Sequence, residues 1–121
     1  LLFDTVIVTG SRDWTDASVI GRVLTDACPK LIVQGGARGA DTIAREWARA
    51  NRVDYVEFSA RWSELGKRAG RERNVRMLEA FPDATVLAFP LGGPGTRHCI
   101  EEARKRDMLV RVYDPEGNLV R

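Results

Sequence analysis

The sequence predicts one α/β domain spanning residues 1–121, an open parallel β-sheet with helices on both faces. Short apolar runs alternate along the chain with amphipathic stretches of helical period, the signature of linked β-α-β units. The runs end at Gly or Pro, as strands buried on both faces of a parallel sheet commonly do. A length of 121 residues, with 44% hydrophobic and 30% charged side chains, suits a single core that buries about two-thirds of the unfolded surface.

The first strand is Thr5-Val6-Ile7-Val8, β-branched throughout and stopped by Gly10. Asp16 then reads as the N-cap of a helix whose apolar face carries Val19, Ile20, Val23 and Leu24. Leu31-Ile32-Val33 is the second strand, ending at Gly35-Gly36, and Ile43, Ala44, Trp47 and Ala48 form the stripe of the second helix. Tyr55-Val56-Glu57-Phe58 is a weaker third run. A third helix, starting near Arg71, is predicted to bury Val75, Leu78 and Phe81. Thr85-Val86-Leu87-Ala88-Phe89 stops at Pro90. Thr96 then reads as the cap of a fourth helix that buries Ile100 and Ala103 and turns out at Asp107. Leu109 to Tyr113 is the fifth strand, and the turn Asp114-Pro115-Glu116-Gly117-Asn118 leads to a short edge strand at Leu119-Val120.

Composition removes several function classes. The 19 basic residues face 17 acidic ones, for a net charge of +2. That excludes a disordered tail and a protein that binds nucleic acid by bulk charge. Three of the basic residues are Lys (Lys30, Lys67, Lys105) and the other 16 are Arg, alongside 11 Gly. Two cysteines, Cys28 and Cys99, are too few for a metal cluster or a disulfide framework. No metal site or cofactor is called for. No apolar run reaches the ~18 residues of a membrane span, and Leu1-Leu2-Phe3 runs directly into Asp4. The expectation is a cytoplasmic protein with no signal peptide and no membrane partner.

In open α/β sheets ligands bind beyond the carboxyl ends of the strands, where the winding direction reverses. Three loops leave the strands there: Thr9-Gly10-Ser11-Arg12-Asp13-Trp14, Gln34-Gly35-Gly36-Ala37-Arg38-Gly39-Ala40-Asp41 and Pro90-Leu91-Gly92-Gly93-Pro94-Gly95-Thr96. Each is a glycine-bearing turn into a helix. Such turns either meet a demand for positive φ or bring backbone N–H groups close to an anion. Neither the dinucleotide fingerprint nor the NTPase P-loop is present. Between Arg61 and Arg76 six cations (Arg61, Lys67, Arg68, Arg71, Arg73, Arg76) outnumber Glu64 and Glu72. The run reads either as a solvated helical face or, through Gly66 and Gly70, as a loop folded over the site. Trp14 is read as a staple on the first helix ahead of base stacking, Trp47 as core, and His98 as a surface residue without a partner.

Gly10-Ser11-Arg12, the Gly35-to-Asp41 loop, Arg73-Asn74 with Met77, and Gly92-Gly93-Pro94-Gly95-Thr96 occur in that order. Together they resemble the SLOG superfamily, most closely its YspA/YpsA-related branch, from about Val6 to Val112. The resemblance implies a Rossmann-like sheet of order 3-2-1-4-5 that binds a nucleotide or nucleotide-derived ligand. It also links the chain to the cytokinin-activating phosphoribohydrolases and to the DNA-processing protein DprA. Under it, Gly93, Gly95 and Thr96 take a phosphate, with Gly92 in the same loop. Gly10, Ser11 and Arg12 face them across the crevice, and Gly35, Gly36, Arg38 and Gly39 form the neighbouring wall. Arg73 and Asn74 add a phosphate contact. Asp41 either accepts from a ribose hydroxyl or braces its own loop.

In the phosphoribohydrolases a catalytic Glu follows the fourth loop, and here Cys99 stands in its place. Glu102, Asp41 and Arg73 are the remaining catalytic candidates, and Cys99 reads as a small buried hydrophobe before it reads as a nucleophile. The leading expectation is a module that senses or sequesters a phosphorylated small molecule. An N-glycosidic hydrolase comes second and a single-stranded DNA binder third, since few aromatics are available for stacking. The resemblance also admits a homodimer.

Overall fold

The computed structural model describes residues 3–120; residues 1, 2 and 121, the ends of the predicted domain, lie outside the described residues. Five strands alternate with helices: β1 (Thr5–Gly10), α1 (Ala17–Ala27), β2 (Leu31–Gln34), α2 (Ala40–Ala50), β3 (Asp54–Glu57), α3 (Trp62–Leu65), α4 (Ala69–Ala80), β4 (Thr85–Phe89), α5 (Pro94–Lys105) and β5 (Val110–Val112). A single 3₁₀ turn, Gly66–Arg68, joins α3 to α4. The strands form one parallel sheet in the order β3-β2-β1-β4-β5, as expected. The winding reverses between β1 and β4, which run in register from Val6 beside Thr85 to Gly10 beside Phe89.

Alternation along the central strands divides the core in two. Val6, Val8, Ile32, Leu87 and Phe89 meet Ile20, Leu24, Ala44 and Ala48 of α1 and α2 on one face. Ile7, Val33 and Val86 meet Met77 and Leu78 of α4 and Cys99 and Ala103 of α5 on the other. Phe89 stacks on Tyr113 at 5.3 Å and takes the edge of Trp14 at 5.5 Å, so Trp14 is core. Full burial of each large aliphatic side chain contributes about 1.5–3 kcal/mol. Asp16 caps α1, accepting from the Ser18 and Val19 N–H groups at 3.0 and 3.4 Å. Asp107 turns the chain out of α5 at φ 57°.

Four local expectations are corrected. β3 is an edge strand and mostly exposed, because no strand lies beyond it, so it is not buried on both faces. The buried face of α4 is Arg73, Asn74, Met77 and Leu78, and Val75 is only half-buried; the helix turns its polar pair inward. α5 begins at Pro94 with Gly93 as its cap, so Thr96 lies inside the first turn and caps nothing. The C-terminal edge strand is reduced to one antiparallel bridge between Tyr113 and Leu119. No helix among the described residues is long and apolar enough to cross a membrane.

Candidate functional site

A cleft of about 470 Å³ opens at the carboxyl ends of β1 and β4, the reversal point of the sheet. Its volume falls in the range of small-ligand sites. A larger cavity of about 520 Å³ lies at the opposite end of the sheet, lined by Asp4 and Asp83 and by no cationic residue. Charge separates the two. The carboxyl-end cleft is lined by Arg12, Arg38, Lys67, Arg71 and Arg73 against two carboxylates, Asp13 and Asp41.

The cationic run divides between two tasks. Arg61 and Arg76 both bind Glu72, at 2.8 and 3.2 Å, in an exposed ion network. Lys67, Arg71 and Arg73 face the cleft instead. No ion pair among the described residues includes Arg12, Lys67 or Arg71. Arg38 pairs loosely with Asp13 at 3.5 Å, both largely exposed, a contact worth at most about 1 kcal/mol. Where the sequence leaves a solvated helical face or a loop folded over the site as alternatives, α3 and the 3₁₀ turn bring Trp62 and Lys67 to the rim.

The loop glycines fall into two groups. A Cβ on Gly10 would lie 2.5 Å from that of Ala40, and one on Gly39 would meet the Ser11 carbonyl. The Arg73 guanidinium occupies the space a Gly35 side chain would take. These three glycines admit the protein's own atoms. Around Gly93 and Gly95 nothing lies within 4 Å of the missing Cβ, and both border the cleft. Neither needs a positive φ, so what their lack of a side chain supplies is open space. Gly92 has φ 96° and serves the turn, outside the cleft lining.

The two helix N-termini at the site differ in the same way. α2 receives its own carboxylate in its first turn: Asp41 accepts from the Ala37 N–H at 3.2 Å and so braces its loop. α5 has no side-chain cap, and Pro94 brings no N–H. The N–H groups of Gly95 and Thr96 are therefore left without a helical partner, in the half-positive end of a 12-residue helix.

Arg73 is 9% exposed. It donates from Nη1 to the Gly35 carbonyl and from Nε to Asn74 Oδ1 at 3.1 Å. Asn74 Nδ2 in turn reaches the Gly95 carbonyl at 3.3 Å and His98 Nδ1 at 3.2 Å. This chain of bonds ties the β2 loop to the start of α5, so the pair positions both walls of the cleft. His98, without a partner nearby in sequence and expected at the surface, is half-buried and finds its partner in Asn74 of α4. Burial and the nearby Arg71 lower its pKa, which favours the neutral ring with Nδ1 as acceptor.

Burial raises the Asp41 carboxyl to about 6, against the pull of Arg73 and of backbone N–H groups from Ala37 and Gly35. Burial likewise pushes the Cys99 thiol up to about 11, although Thr9 hydrogen-bonds it. A fully buried thiol at that value stays protonated and is no nucleophile. Glu102 stands outside the cleft, with its carboxylate bound to Lys105 at 3.0 Å and Arg106 at 3.1 Å. Ser11 borders the cleft, but its hydroxyl accepts from the Asp13 N–H at 3.0 Å. Gly35, Gly36 and Arg38 line a second cavity of about 340 Å³ beside the first. Trp62 borders both and escaped the sequence-based expectations. Its signal was there: an indole among Arg61, Ser63 and Glu64 that belongs to no apolar stripe.

The sheet order and the placement of the cleft define a Rossmann-like α/β domain with an open cleft at the reversal point. The chain belongs to the YspA, cpYpsA-related SLOG family, whose model matches residues 5–65. It is 42% identical over 116 residues to the Gene 61 protein of Mycobacterium phage D29, covering 87% of this chain and 92% of that protein. In fold it is similar to the DNA processing protein A (DprA) of Streptococcus pneumoniae, with a TM-score of 0.69 over 93% of this chain. At 19% identity that likeness shows the fold, and the chain spans half the length of that structure.

Proposed function

We propose that the protein binds a nucleotide or nucleotide-derived phosphorylated small molecule in the carboxyl-end cleft, as a sensing or sequestering module. The observation that carries the proposal is the start of α5. Its first N–H groups lack a cap, Gly93 and Gly95 leave open space in front of them, and Arg12, Lys67 and Arg71 stand around the same cleft without ion-pair partners. Uncapped N–H groups and unpaired cations together favour a phosphate. Membership of the SLOG family supports a nucleotide-related ligand.

Native mass spectrometry of the purified protein, followed by calorimetric titration with a nucleotide panel, tests the proposal. The expected outcome is a bound or bindable nucleotide recovered unchanged. Arg71→Ala is expected to weaken binding about 10- to 100-fold, as loss of a charge-assisted contact does. Absence of binding across the panel refutes the proposal. One observation favours hydrolysis as a second reading. Asp41 is a carboxylate in the cleft whose pKa of about 6 suits proton transfer near neutrality. That reading predicts release of a base or ribose 5-phosphate that stops in Asp41→Asn.

A further inference from the structure

We propose that Trp62 and Arg12 form a stacking bar between the two cavities, so that the ligand is a nucleotide whose base lies on the Trp62 ring while its phosphate meets the start of α5. The inference rests on the nucleotide-binding proposal above and adds how the base is held.

Trp62 is 49% exposed and belongs to neither of the two main clusters of the core. A large aromatic left open in a concave, cationic site is the informative kind of exposed apolar surface. The Arg12 guanidinium carbon lies 5.4 Å from the ring centroid, within cation–π range. Both residues line the 470 Å³ cleft and the 340 Å³ cavity beside it, so the pair stands where the two spaces meet. Gly70, at the start of α4, lies close to the far edge of the indole: a Cβ there would be in van der Waals contact with it at 3.6 Å.

The two lobes offer different chemistry. Gly93, Gly95 and Thr96, with the open end of α5, border the larger lobe alone. The smaller lobe shares Arg12, Arg38 and Arg73 with the larger one, so the cations do not distinguish them; what it adds beside Trp62 is the Gly35-Gly36 turn and the small residues Ser59 and Ala60. An indole in one lining with small residues leaves room for a flat group, and the loop and the arginines offer polar partners to its edge. The phosphate therefore belongs in the larger lobe and the base in the smaller. Arg12, at the junction, supports the ring while its remaining N–H groups reach toward the phosphate.

The test titrates wild type, Trp62→Ala and Trp62→Phe with AMP, GMP, CMP and UMP, and separately with ribose 5-phosphate and a short oligo(dT), following heat and indole emission. Stacking on an aromatic ring predicts that Trp62→Ala binds the nucleotides roughly 5- to 150-fold more weakly. Ribose 5-phosphate binding is expected to stay within about twofold of wild type by the same reasoning, and Trp62→Phe to keep most of the nucleotide affinity. Nucleotide is expected to quench wild-type emission and to leave that of Trp62→Phe, which retains Trp14 and Trp47, unchanged. The urea midpoint of Trp62→Ala should match wild type, since the indole lies outside both main core clusters. The inference is overturned if nucleotides bind all three proteins equally, or if Trp62→Ala weakens ribose 5-phosphate as much as nucleotides. It is also overturned if the Trp62 dependence occurs with oligo(dT) alone, which would make the ligand a strand. Failure of every probe to bind wild type removes the underlying proposal as well.

Discussion

Replacing Asp41 with Asn removes the buried carboxylate of the cleft while keeping the side chain's shape and an oxygen for the Ala37 N–H. In the folded protein that carboxyl is raised from 3.8 to about 6, chiefly by burial. Between those values the folded state binds more protons than the unfolded one. Its contribution is therefore full below about pH 4 and is lost as pH rises through 6. At about 1.4 kcal/mol per pKa unit, the whole window is worth about 3 kcal/mol, and the span from pH 4.5 to 7.5 about 2 kcal/mol. The carboxylates of Asp16, Glu72, Glu102 and Asp114 are shifted downward, so they work in the opposite direction on acidification. They are common to both proteins and cancel in the difference. Urea denaturation of wild type and Asp41→Asn across this range is the assay. The stability of the variant relative to wild type should rise by about 2 kcal/mol from pH 4.5 to 7.5. A difference that stays flat refutes the burial argument. One that falls with rising pH would mean that attraction to Arg73 outweighs desolvation.

The remaining expectations concern packing and reactivity. Gly39→Ala places a Cβ against the Ser11 carbonyl at φ 80° and should cost at least about 2 kcal/mol in urea denaturation. Gly93→Ala meets open space, so only its place at the N-cap of α5 is felt, and the loss should stay below about 1 kcal/mol in the same measurement. Asn74→Ala strands the buried Nε of Arg73 and unties α4 from Gly95, an expected loss of about 1–3 kcal/mol in urea unfolding. Iodoacetamide at pH 8 should modify exposed Cys28 and spare buried Cys99 in the native protein. A second adduct should appear by mass spectrometry only in urea.

The strands and the first two helices were legible because their signals are local. β4 occupies Thr85–Phe89 as predicted, and Asp16 caps α1 as predicted. Two expectations were displaced, one by a second local signal and one by a tertiary demand. Thr96 has a capping side chain, yet Pro94 at the first helical position starts α5 one turn earlier. Val75 is apolar, but α4 turns Arg73 and Asn74 inward because their hydrogen bonds reach two loops that no period in the sequence reveals. The basic run between Arg61 and Arg76 gave no sign of which cations would pair with Glu72 and which would face the cleft.

The sequence by itself determined the class of fold, the end of the sheet where the cleft opens and the glycine-bearing loops that border it. Periodicity and the Gly and Pro stops act over a few residues and survive in the unfolded chain. Tertiary structure alone decided which glycines are filled and which stay open. Gly35 is filled by Arg73, 38 residues away, and Gly39 by the Ser11 carbonyl, while Gly93 and Gly95 face empty space. Space is a property of neighbours, and these neighbours meet only when β1 pairs with β2 and α4 packs against the sheet.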